Sequence, residues 1–93
     1  AYLFAAKQDW QGAANEWYET TQLAPDYAYA YANYGEALEN LNRNQDALVT
    51  YETAVPICVR FMRAFEDRAK QQKAETLCAD LRTRIRRLQS TTK

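Results

Sequence analysis

The sequence predicts an all-α fold, a helix–turn–helix repeat followed by a long C-terminal helix, and three observations carry that expectation. Only two Gly and two Pro punctuate 93 residues, so little in the chain demands a turn. Apolar residues recur at three-to-four spacing over most of its length, the period of one helical face. The chain also repeats itself. A shift of 34 residues lays Ala1 on Gly35, Phe4 on Leu38, Ala13 on Ala47 and Trp17 on Tyr51, small on small and large apolar on large.

Local chemistry sets the first helices. Asp9 is placed to cap a helix running through Ala13, Ala14 and Trp17 to Leu23, and Ala24-Pro25 ends it, because the residue before proline avoids helical angles. Asp26 is expected to cap the next. Its opening run, Tyr27 to Tyr31, alternates as a strand does, but its Ala content and the spacing of Tyr27, Tyr31, Tyr34 and Leu38 fit one helical face to about Asn40. The run from Asn40 to Asn44 is turn material, since Asn tolerates left-handed backbone angles. A partner helix follows from Gln45 to about Ala54.

Beyond Pro56 the remaining 37 residues contain no Gly, Pro or Asn. Met62, Phe65, Ala69, Leu77, Leu81, Ile85 and Leu88 keep a helical spacing, and Arg63 with Asp67 and Glu66 with Lys70 are opposite charges four apart. One long helix is the simplest reading. The alternative is a third hairpin broken near Lys73 to Thr76, with Thr76 as the cap of its second helix. The expected organisation is therefore a repeat region at 1–57 and a basic, amphipathic capping helix at 58–93.

The 34-residue period resembles the tetratricopeptide repeat. Tyr31, Tyr34, Gly35 and Leu38 stand where that family places Trp, Leu, Gly and Tyr, Ala47 and Tyr51 supply the second helix, and Pro25 matches the repeat-ending proline. The resemblance covers 1–55, with one complete and one partial unit, and implies an α-solenoid fragment whose first helices line a concave groove for a peptide or helix of a partner protein. On the helix from Tyr27 to Asn40, the stripe Tyr29, Asn33, Glu36 and Asn40 lies beside the buried one. The 34-residue shift adds Tyr2 upstream and Arg63, Asp67 and Lys70 downstream. Some family members clamp the carboxylate of chaperone tails with Asn, Lys and Arg; Asn33 and Arg63 fit such a clamp, but Tyr2 and Asp67 do not, and none is expected.

Composition narrows the function. The chain has no His, no glycine-rich phosphate loop and no clustered carboxylate pair, so no catalytic dyad, cofactor or metal site is expected. Cys58 and Cys78 read as reduced, partly buried residues set well apart along the helices. No run approaches the ~18 apolar residues of a membrane span, and a soluble, cytoplasmic setting is the default. Because the chain begins at Ala1 inside a helical pattern, a larger parent protein is expected. Trp10, Trp17, Tyr18, Tyr51 and Phe65 are expected in the core.

The net charge of zero hides a split. Residues 1–57 hold two basic and eight acidic residues, a net of −6, and residues 58–93 hold ten basic and four acidic, a net of +6. A homodimer is a further expectation, formed through the open repeat edge or the face of the last helix around Leu81, because about three repeats are needed for a stable stack. The cluster Arg82, Arg84, Arg86 and Arg87 raises a third reading, contact with RNA or an anionic membrane. Against it stand the pI near 6.5 and the lack of a nucleic-acid motif.

Overall fold

The computed structural model describes residues 9–91. Four helices follow one another, α1 (Trp10–Leu23), α2 (Ala28–Asn40), α3 (Asn44–Arg63) and α4 (Arg68–Thr91), with no strand among the described residues. Each packs against the next. The all-α expectation holds, and no described helix is long and apolar enough to cross a membrane.

The start of α1 follows the sequence reading. The Asp9 side chain accepts a hydrogen bond from the Gly12 backbone N–H at 3.0 Å, satisfying one of the orphan donors at the helix start. For α2 the expected Asp26 cap is replaced by Tyr27, which makes no side-chain cap bond. The turn after α2 is built by Asn42, whose φ is 62°. The Arg43 N–H donates to the Leu38 carbonyl at 2.9 Å and the Asn42 N–H to that of Glu39 at 3.0 Å. This is a Schellman ending, in which a left-handed residue turns two amides back onto the last carbonyls.

Small residues let α2 be approached from two sides. Ala28, Ala32 and Leu38 join the main core with α3 and α4, while Ala30 and Ala37, seven residues apart, are buried outside it, on the side α1 packs against. The tyrosine stripe does less of this than its spacing suggests, since Tyr31 and Tyr34 are half-buried and Tyr27 is exposed. Among the other aromatics expected inside, only Tyr51 is fully buried; Trp10, Trp17 and Phe65 are half-buried and Tyr18 is 52% exposed.

The C-terminal third departs from the sequence reading. The second helix of the hairpin does not stop near Ala54 but runs through Pro56 to Arg63. Proline inside a helix removes one hydrogen bond and typically costs about 3 kcal/mol. It is tolerated here on the exposed side, while Ile57 and Cys58 beyond it are buried. The chain then turns at 64–67 instead of continuing as one helix, and Lys73 to Thr76 lies within unbroken helix. Asp67 starts α4, its side chain accepting from the Ala69 N–H at 2.9 Å. The turn also cancels the helical spacing assumed for the Arg63–Asp67 and Glu66–Lys70 pairs.

That turn brings Cys58 and Cys78 together as a disulfide, Cα to Cα 5.7 Å, which overturns the expectation of two separate thiols. On a single helix twenty residues would separate them by about 30 Å. The turn is what lets Ile57 and Cys58 on α3 share one core with Leu77, Cys78, Leu81 and Leu88 on α4. Closing a loop of this length by a disulfide contributes about 3 kcal/mol in the chain-entropy account.

The closest approach in the core is between α2 and α3 at Gly35. A Cβ built there would stand 2.8 Å from both Cδ1 and Cζ of Tyr51 and nearer still to Cε1. Neither the buried ring nor the crossing can give way cheaply. Gly35→Ala is therefore expected to destabilise the fold by about 1–3 kcal/mol despite alanine's better helix propensity, and urea unfolding monitored by circular dichroism measures it.

Candidate functional site

A groove between α2 and α4 brings aromatic, polar and charged side chains together. Tyr29 on α2 with Lys73, Thr76, Leu77 and Asp80 on α4 lines one hollow of about 440 Å³. Glu36, Glu39 and Asn40 on α2 with Asp80, Thr83, Arg84 and Arg87 on α4 line a second of similar size. Asp80 belongs to both. The first has an apolar floor continued by aromatic contacts, with Tyr29 edge-on to Phe61 at 5.8 Å and Phe61 to Phe65 at 4.9 Å between centroids. The second is charged.

The charged end rests on one hydrogen-bonded set. The Tyr51 hydroxyl donates to Glu39 Oε1 at 2.5 Å and accepts from Arg84 Nη1 at 3.1 Å. Arg84 Nε donates to Asp80 Oδ2 at 2.8 Å, and Arg87 pairs with the other oxygen of Glu39. The Arg84 guanidinium also lies 5.7 Å from the centre of the Tyr51 ring, within reach of a cation–π attraction. Burial, then the hydrogen bond to Glu39, pushes the Tyr51 hydroxyl well above the usual 10. Burial alone would lower Arg84, but its bonds to Tyr51 and Asp80 outweigh that and raise it. Both groups keep their protons through the physiological range, so the set acts as a fixed brace.

The structure brings together part of the site read from the sequence. Tyr29, Glu36 and Asn40 line the groove, and Asn33 lies half-buried between them on the same helical stripe. Asn40 Nδ2 bonds to the Glu36 carbonyl at 2.8 Å, which holds its amide against the helix. Tyr2 lies outside the described residues. Arg63, at the exposed end of α3, and Asp67, the cap of α4, do not line the groove, and Lys70 sits one turn before Lys73 without lining it. The 34-residue shift fails there because α3 is 20 residues long and delays the next helix.

The α4 wall, from Lys73 to Arg87, is not among the groove residues that the sequence points to. Its signal is the stripe Leu77, Leu81 and Leu88, which the sequence assigns to a capping helix or, alternatively, to an assembly face around Leu81. Leu77, Leu81 and Leu88 are all buried against the rest of the fold, so the Leu81 face is not open for assembly. Within the basic cluster, half-buried Arg84 and exposed Arg87 pair with Glu39, and Arg82 and Arg86 are exposed. No grouping of three or more potential metal-ligating side chains occurs among the described residues. No family model, curated protein or solved structure matches the chain.

The raised Tyr51 value carries a sign for stability. A group harder to deprotonate when folded contributes stability that is complete below its unfolded pKa and is lost as pH climbs toward its folded one. Stability is therefore expected to fall as pH rises past 10, and Tyr51→Phe is expected to remove that component while costing about 1 kcal/mol at neutral pH through the lost hydrogen bond. Urea titrations of both chains from pH 7 to 11 measure the difference.

Proposed function

We propose that the chain is a protein-interaction module of the tetratricopeptide type that holds a peptide or helix of a partner protein along the α2–α4 groove. The observation that carries this reading is the pair of hollows joined at Asp80, one apolar around Tyr29 and Leu77, the other charged around Glu36 and Arg87. An apolar anchor site beside fixed charges is the arrangement that gives a peptide both affinity and register. The groove follows α2, whose 13 residues span about 20 Å, room for about six residues of extended chain. The outer face of α4 is polar almost throughout, as a terminal helix of a repeat stack requires.

Tyr29 is the natural anchor contact, a rigid aromatic with a polar tip. Glu36 on α2 and Lys73 on α4 offer charges of opposite sign to the same ligand. A second reading, self-assembly through the α1 edge, draws on Leu23, which is 81% exposed, and Tyr18. The last-helix route to assembly has lost its apolar face to the core.

The test is selection of peptides from a displayed random library, followed by mapping of amide shifts in the bound chain. The expected result is perturbation at Tyr29, Lys73, Thr76 and Asp80, with Tyr29→Ala weakening binding at least 10-fold, or about 1.4 kcal/mol. Shifts confined to Tyr18, Leu23 and Val49, with Tyr29→Ala unaffected, would sink the groove reading. Light scattering over a concentration series reads the competing assembly directly.

A further inference from the structure

We propose that the Cys58–Cys78 disulfide is a redox latch on this groove: the first half of α4, residues 68–80, holds its place as groove wall only in the oxidised chain, whose working compartment is therefore an oxidising one. The position of the bond argues for it. Cys78 follows Leu77, which lines the apolar hollow, and precedes Asp80, which both hollows share. Its partner Cys58 lies on α3 two residues after Pro56, whose ring nitrogen cannot donate to the helix. The bond thus ties the groove-lining stretch of α4 to the part of α3 least able to hold it by itself.

Little else holds that stretch. Between Arg68 and Cys78 the buried side chains are Ala74, Leu77 and Cys78. Leu81 and Leu88 are buried further along, and the Arg84 and Arg87 bonds to Glu39 also act beyond the disulfide. The turn at 64–67 has no Gly, Pro or Asn to stiffen it; the Asp67 cap, a bond from Gln71 Nε2 to the Phe65 carbonyl at 3.3 Å and the Phe61–Phe65 ring contact hold it. With Cys58 fully buried and Cys78 4% exposed, a reductant reaches the bond only when α4 opens. In an oxidising setting the bond persists.

Under reducing conditions a dithiol opens it by exchange. Its thiolate attacks one cysteine sulfur, the S–S bond breaks and the other cysteine leaves as a thiolate that takes up a proton. The second thiol of the reductant then displaces the first cysteine, giving two protein thiols and an oxidised dithiol. Loss of the closed loop shifts the closed-to-open ratio of α4 by about 100-fold. The functional consequence, loss of the groove, rests on the binding reading above.

The experiment reads α4 itself, without a partner. Chain folded in an oxidising buffer is alkylated and weighed before and after dithiothreitol, and amide hydrogen exchange is followed in both forms. No alkylated cysteine is expected before reduction and two after it. Amides of 68–80 are expected to exchange about 100-fold faster in the reduced chain, with α1 and α2 changing much less. A Cys58→Ala/Cys78→Ala chain should show the fast pattern with or without reductant. Free thiols in the oxidised preparation, unchanged α4 exchange on reduction, or equal loss of protection in all four helices would each overturn the latch. Failure of peptide selection with α4 exchange behaving as expected would instead strike the groove reading alone.

Discussion

Three helices meet at Tyr51, and their arrangement follows from how that side chain is satisfied. Its ring is fully buried, which requires a neighbour without a Cβ, and Gly35 on α2 supplies the space. Its hydroxyl cannot be buried alone without a penalty of a few kcal/mol, and Glu39, one turn beyond Gly35, accepts its hydrogen bond. That places a carboxylate at the margin of the core, which in turn needs cations. Arg84 and Arg87, three residues apart on α4 and so on one face, supply them. The crossing of α2 on α3 and the seating of α4 are thus consequences of one buried phenol.

The same logic leaves the groove available. Because α2 uses Ala28, Ala32 and Gly35 for its contact with the core, and Ala30 and Ala37 for the opposite side, the stripe between those two faces is left only partly covered, with Tyr29 resting against the margin of the core. Tyr29, Glu36 and Asn40 consequently reach the surface that α4 faces. Small residues buy close backbone approach, and close approach decides which larger residues stay in contact with solvent.

The charge asymmetry is used partly within the chain. Glu39 belongs to the acidic half and Arg84 and Arg87 to the basic half, and their contacts spend part of the −6 and +6 split on holding α4. The disulfide completes the attachment nearer the start of α4. The covalent link and the ion pairs secure successive stretches of one helix, and the leucine stripe at 77, 81 and 88 runs under both.

Much of this was legible in the sequence, because helices are specified by neighbours within a few residues. The Asp9 cap, the stop before Pro25 and the turn within Asn40 to Asn44 are local facts, and the structure repeats them, with Asn42 as the left-handed residue. The 34-residue offset likewise pointed to Gly35 and Tyr51 as matched small and large positions. What tertiary structure alone decided lies after Pro56. Whether a helix passes through a proline, and whether a run without Gly or Asn turns at 64–67, depends on how Ile57 and Cys58 pack against Leu77, Cys78 and Leu81, contacts about twenty residues apart. Burial at that separation outweighs local propensity, so the disulfide, the α4 wall and the partners of Glu39 became visible only once the chain was folded.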